Sequence, residues 1–229
     1  MTELVEHADG AALARGLAAQ VAEDLRNALR RKDRATLAVP GGSTPGPFLA
    51  ALAGEELDWP HIAVCPTDER WAPPDHERSN ERMIRAALID HGAAPTFLPF
   101  WREGLTPAEA APVVARAFAP HLPLDVCVIG MGTDMHCASL FPGGDGLVEA
   151  MDPTGTAVIA PLTAPGAPER RITLTAARLA EADKLYLLII GPEKRAALSA
   201  ACDESDALKA PVSAVLRRAI NAQVHWAGR

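Results

Sequence analysis

Four aliphatic runs constrain this chain more than any other feature: ATLAV at 35–39, IAVCP at 62–66, LDVCVIG at 124–130 and KLYLLIIG at 184–191. Each is near-continuously apolar, and each stops at or just before a glycine or proline. Strands of that kind suit a parallel sheet covered by helices on both faces, because neither face can be left to water. The segments between them read as helices. From Gly10 to Arg31, Leu13, Leu17, Val21, Leu25 and Leu29 recur every fourth residue along one face. PFLAALAGEEL resumes a helical pattern, Ser79 is placed to cap a helix running to His91, and Thr106-Pro107-Ala108-Glu109 matches a capping box with proline at the first helical position. Pro112 predicts that this helix starts later or kinks. TFLPF, TAVIAP and RITLT extend the strand series, and TAARLAEAD and GPEKRAALSAA supply further helices. The expected architecture is α/β with a doubly wound sheet, in one domain spanning 1–229, with a loop-rich stretch at 143–170.

Composition narrows the function classes. The net charge of −7 is spread along the chain, which argues against general adhesion to nucleic acid or anionic membrane, so an anionic ligand must be held by local positive groups. The four cysteines, Cys65, Cys127, Cys137 and Cys202, show no Cys-x-x-Cys spacing. Free thiols in a reducing cytoplasm are expected, with neither a disulfide framework nor a zinc ribbon. No apolar run is long enough to span a bilayer, and the amino terminus lacks a basic segment followed by an apolar core.

In open parallel sheets, ligands gather beyond the carboxyl ends of the strands, where loops converge and helix N-termini present free N–H groups. Three polar segments fall there. PGGSTPG combines close backbone approach at Gly41 and Gly42 with the hydroxyls of Ser43 and Thr44; it reads either as an oxyanion cradle or as an ordinary glycine turn. TDERW puts Asp68, Glu69 and Arg70 at a strand exit, so that one carboxylate can face the cleft while Arg70 offers a forked donor; Arg78 and Asn80 at the next helix start are candidates for the same pocket. GMGTDMHCASLFPG places Asp134 and His136 behind a turn built on Gly130 and Gly132. Histidine is the side chain type best suited to act as a general base near neutral pH, and Asp134 is placed to accept from the imidazole or from backbone amides. Ser139 reads as a helix cap. A metal site on Asp134, His136, Cys137 and Cys127 is disfavoured, because neighbouring side chains of an extended segment point opposite ways. Downstream, Arg170, Arg171 and Lys194 are further candidates for anion contact.

Taken in order, PGGSTP, TDERW with HERSN, GMGTDMHCASLFPG, RRITLT and GPEK resemble the glucosamine-6-phosphate isomerase/6-phosphogluconolactonase family, specifically its lactonase branch, from about Ala35 to Val215. The resemblance implies a three-layer α/β/α domain similar to the ribose-5-phosphate isomerase and glucosamine-6-phosphate deaminase fold. It also implies a phosphorylated sugar lactone as the small-molecule partner and hydrolysis without an obligatory cofactor. His136 would be the base, assisted by Asp134, and it would act through either Nε2 or Nδ1. Gly41, Gly42, Ser43, Thr44, Asp68, Arg70, Arg78, Asn80, Gly132, Arg171 and Lys194 would bind substrate, with Lys194 ranked first among the basic groups. Backbone N–H groups of the glycine turns would stabilise the oxyanion. Where the family usually has Asp-Gly-His-Thr, this chain has Asp134-Met135-His136-Cys137. Met135 then either strains the backbone at a positive φ or narrows the cleft. The rival readings are an aminosugar-phosphate deaminase or isomerase, which calls for an acid where this chain reads Ser139-Leu140-Phe141-Pro142, and a non-catalytic sugar-phosphate sensor.

Overall fold

The computed structural model describes residues 2–167 and 169–229. Its strands are β1 (Glu3–His7), β2 (Ala35–Val39), β3 (Ile62–Pro66), β4 (Asp68–Arg70), β5 (Thr96–Phe97), β6 (Val126–Ile129), β7 (Ile159–Thr163), β8 (Arg170–Leu174), β9 (Lys184–Ile190) and β10 (Ala222–Ala227). Its helices are α1 (Gly10–Arg31), α2 (Gly46–Ala53), α3 (Asn80–Ile84), α4 (Pro107–Phe118), α5 (Leu147–Ala150), α6 (Ala176–Ala180), α7 (Pro192–Asp203) and α8 (Pro211–Arg218). Seven strands form a parallel sheet in the order β1-β10-β9-β6-β2-β3-β5.

The aliphatic runs are two-faced, as parallel strands must be when helices cover both sides. Val126, Val128, Tyr186 and Leu188 pack with α1 and α2, whereas Cys127, Ile129, Leu185 and Leu187 pack into the core under α4, α6 and α8. Helix α1 buries Leu13, Leu17, Val21 and Leu25, while Leu29 is only partly covered; Asp9 caps it by accepting from the Ala12 N–H at 2.7 Å. The capping box at Thr106 forms, and α4 starts at Pro107 and continues through Pro112. Ser79 caps α3, which passes into a single π-helical turn over Arg85–Ile89.

Strands β7 and β8 depart from the expected single series. They join β4 in a separate antiparallel sheet, β4-β8-β7, laid on the α4 side. The stretch DER, expected as the charged exit of the preceding strand, is therefore itself a strand, because its main chain has a partner in β8. Strands β1 and β10 and helix α8 have no counterpart among the sequence expectations. β1 is an edge strand with three exposed residues, so it has little apolar pattern to read.

The chain crosses the sheet in opposite directions from its middle. β2 leads to β3 on one side and β6 leads to β9 on the other, which opens a crevice beyond the carboxyl ends of β2 and β6. Among the described residues, no helix is long and apolar enough to cross a membrane.

Candidate active site

A cavity of about 350 Å³ occupies that crevice. Its walls come from the loop after β2 (Pro40 to Pro45), from β4 and the start of α3, from the segment after β6, from Arg171 on β8, and from the end of β9 with Lys194. Of the residues singled out in the sequence, Gly41, Gly42, Ser43, Thr44, Asp68, Arg70, Asn80, Gly132, His136, Arg171 and Lys194 meet there.

Asp134, Arg78 and Arg170 do not line the cavity, and Arg170, at the start of β8, is exposed outside it. Asp134 stands behind His136, with its Oδ1 2.6 Å from the imidazole Nδ1. Arg78 is held away by Glu169, whose carboxylate pairs with the guanidinium through Nε and, at 3.1 Å, through Nη2. What Arg78 adds to the site is its carbonyl, which accepts from Arg70 Nη1 at 2.7 Å.

The Asp134–His136 pair settles the tautomer. The hydrogen bond from His136 holds the Asp134 carboxyl below its usual value, so it is a carboxylate at neutral pH and can only accept. Nδ1 therefore carries the proton and Nε2 is the free base. The His136 side chain keeps 26 % exposure, and its ring stacks on Phe141 with centroids 3.9 Å apart. The loop that presents it is held by its own main chain: Gly132 N–H donates to the His136 carbonyl at 3.0 Å and Met135 N–H to the Gly132 carbonyl at 3.1 Å. Gly132 thus lines the cavity, but its N–H is already engaged and is removed from the expected oxyanion donors.

Met135 takes a φ of +68° and Ala138 one of +49°. Of the two outcomes anticipated for Met135, strain is the one realised. Its side chain is absent from the cavity wall and packs against the hydrophobic core, while its carbonyl accepts from Val212 N–H at the start of α8 at 3.2 Å.

Strand alternation separates the two acids of β4. Asp68 turns to the cavity, where Ser139 Oγ donates to its Oδ2, Asn80 Nδ2 approaches Oδ1 at 3.4 Å, and Arg171 Nη1 lies 3.8 Å away. Ser139 is consequently tied to Asp68 and caps no helix. Glu69 turns inward to the start of α3 and accepts from the N–H groups of Arg70, Asn80 and Glu81, each at 2.8 Å, and from Ser79 Oγ at 3.2 Å. Burial nevertheless pushes its carboxyl up to about 7. Asn80 is clamped between Asp68 and Gly41: a Cβ on Gly41 would lie 1.9 Å from Asn80 Oδ1, so glycine is required by close approach.

Three cations, Arg70, Arg171 and Lys194, face one carboxylate, Asp68, across a cavity in a protein of net charge −7. Lys194 Nζ donates to the Met131 carbonyl at 2.8 Å. Arg70 Nε and Arg171 Nε are buried and have no protein partner among the described residues. The N–H groups of Gly41, Gly42, Ser43 and Thr44 likewise donate to no other described group. Such a surplus of unpaired donors suits a multiply charged oxyanion. The thiols of Cys127 and Cys137 are fully buried, and burial pushes both well up, which makes them poor nucleophiles. Phe141, Met131 and Ala138 also line the cavity, and nothing in the sequence marks them, because an apolar side chain or a carbonyl carries no chemical signature there.

The family model for glucosamine-6-phosphate isomerases/6-phosphogluconolactonase matches residues 8–226. A 6-phosphogluconolactonase of Rhizobium meliloti is 43 % identical over 220 residues, covering 94 % of each chain. One of Pseudomonas aeruginosa is 44 % identical over 215 residues, covering 93 % of this chain and 90 % of that one. The crystal structure of a 6-phosphogluconolactonase from Shewanella baltica superposes with a TM-score of 0.95 at 30 % identity, over 99 % of this chain and 98 % of the other. The parallel sheet, the crevice at its reversal point and these likenesses together make the chain a member of the glucosamine-6-phosphate isomerase/6-phosphogluconolactonase family.

Proposed function

We propose that this protein is a single-domain enzyme that hydrolyses 6-phospho-D-glucono-1,5-lactone to 6-phosphogluconate, a step of the oxidative pentose phosphate pathway. The observation that carries the mechanism is the polarity of one imidazole: Nδ1 is tied to Asp134 at 2.6 Å, while the ring opens onto a cavity walled by three cations.

His136 Nε2 takes a proton from water as its oxygen attacks the lactone C1, and the Asp134 carboxylate stabilises the imidazolium that forms. Negative charge develops on the carbonyl oxygen. The free N–H groups of the 41–44 loop, the Arg70 and Arg171 guanidiniums and the two remaining N–H groups of Lys194 are the donors available to the two anionic ends of the substrate, the phosphate and this oxyanion. Collapse of the tetrahedral intermediate breaks the bond from C1 to the ring oxygen, which leaves as a hydroxyl after receiving the proton from His136. Water has then been added across the ester, and the imidazole is neutral again. Ser139 and Cys137 have no covalent role, the first being bound to Asp68 and the second buried.

The test is the rate of lactone hydrolysis above the spontaneous background. His136→Ala, at a position that is only partly buried, should stay folded and lose roughly a hundredfold or more of the catalysed rate. Unimpaired turnover would remove His136 from the mechanism. Turnover of glucosamine 6-phosphate in place of the lactone would favour the deaminase, and binding without turnover of either would favour the sensor.

A further inference from the structure

The aromatic ring of Phe141 touches both halves of the site. It stacks on His136 with centroids 3.9 Å apart and planes inclined by 28°, and the Arg171 guanidinium carbon lies 5.0 Å from its centroid. These partners come from distant parts of the chain, His136 from the loop after β6 and Arg171 from β8. Arg171 is itself positioned by Asp68, which Ser139 holds two residues before Phe141. We propose that Phe141 is a positioning residue for the lactonase reaction, an aromatic plate that fixes the plane of the His136 imidazole and the place of the Arg171 guanidinium relative to each other.

The physical need for such a plate follows from the hydrogen bonding of His136. Asp134 restrains only the Nδ1 edge of the ring, and a single hydrogen bond leaves the imidazole free to tilt about it. A flat partner at stacking distance removes that freedom and keeps Nε2 directed into the cavity. The π-face also carries the sign of charge that attracts a cation, so it favours both the guanidinium and the imidazolium formed as water is deprotonated. Leucine has comparable bulk but no flat face and no quadrupole. Phe141 is half-buried in the cavity wall, so exchanging it for leucine leaves the two main hydrophobic clusters intact.

The proposal rests on the lactonase reading, so the experiment has one arm that does not depend on turnover. In the proton NMR spectrum of the full chain, the Nδ1–H of His136, bound to Asp134, should give a low-field resonance slow to exchange. Phe141→Leu should broaden or abolish it, whereas Phe141→Tyr, which keeps the ring, should preserve it. In the lactone assay, Phe141→Leu should lower kcat by about tenfold with a smaller change in KM, as expected when a base is misdirected while substrate still binds. Phe141→Tyr should restore kcat. Retention of both the resonance and kcat in Phe141→Leu overturns the proposal, as does a tyrosine variant as impaired as leucine. If the wild type hydrolyses no lactone, the function fails while the resonance still decides whether the ring orders His136.

Discussion

Gly132→Ala is the sharpest probe of the proposed catalytic pair, Asp134 and His136, because the added carbon would land on the hydrogen bond itself. A Cβ at residue 132 would lie 2.1 Å from Asp134 Oδ1, 2.2 Å from His136 Nδ1 and 2.3 Å from His136 Cε1, whereas ordinary contact begins at 3.4 Å. The backbone there is not in the left-handed region, so alanine is admissible conformationally and the whole effect is steric. To make room, Asp134 Oδ1 and the imidazole must both retreat by more than about 1 Å, since each would stand 2.1–2.3 Å from the new carbon, so the ring is displaced from its place in the cavity even if the 2.6 Å bond moves with it. Misplacing a reacting group by about 1 Å costs on the order of a hundredfold in rate. The expected outcome is a kcat reduced by about two orders of magnitude, a KM changed much less, and a thermal unfolding transition near that of the wild type. Gly130→Ala is the matched comparison: its Cβ would meet only Pro40 Cβ, at 4.0 Å, and most of the activity should remain. A Gly132→Ala enzyme with the kcat of the wild type would refute the assignment of the Asp134–His136 pair to the chemistry.

Two further predictions concern stability and the unusual methionine. Glu69 has its carboxyl raised from 4.5 to about 7 in the folded protein, so the native state binds that proton more tightly than the unfolded chain does. This contribution to stability is fully present below about pH 4.5 and is lost as pH rises through about 7, a change of up to about 3 kcal/mol. Glu69→Gln should abolish that slope in denaturant unfolding compared across pH. At neutral pH the variant should also be less stable by about 1–3 kcal/mol, since an amide NH₂ then faces groups that only donate; identical pH profiles would refute this. Met135→Gly should relieve a left-handed backbone costing about 1 kcal/mol while losing a core contact, so its melting temperature should move little. Its kcat and KM should stay within about threefold of the wild type, because the Met135 side chain lies outside the cavity wall. A large rise in KM would show that Met135 does shape the cleft.

The amino-acid sequence by itself determined the central strands of the parallel sheet and the neighbourhood of the site, though not the edge pair β1 and β10. Runs such as VCVI and LYLLII are apolar on both faces, and strands of that kind are stable only when helices cover both sides of the sheet. Glycine, acid and histidine directly after such a run then mark a strand's carboxyl end as a place for chemistry. Tertiary structure decided the rest, because it depends on contacts that no local pattern records. β4 is a strand only because β8, a hundred residues later, offers it a hydrogen-bonding edge, and that pairing brings Arg171 to the cavity. Arg78 reads in the sequence as a candidate for the same pocket as Arg70, yet Glu169 draws it away. Gly132 reads as a source of an oxyanion donor until the fold of its own loop engages that N–H. The choice of Nε2 over Nδ1 also lies beyond sequence, since the ring nitrogen that meets Asp134 is fixed by the turn of the backbone between residues 132 and 136. Sequence specifies which groups are present and the period on which they recur; which donors remain unpaired, and so able to act, is settled when distant segments close on one another.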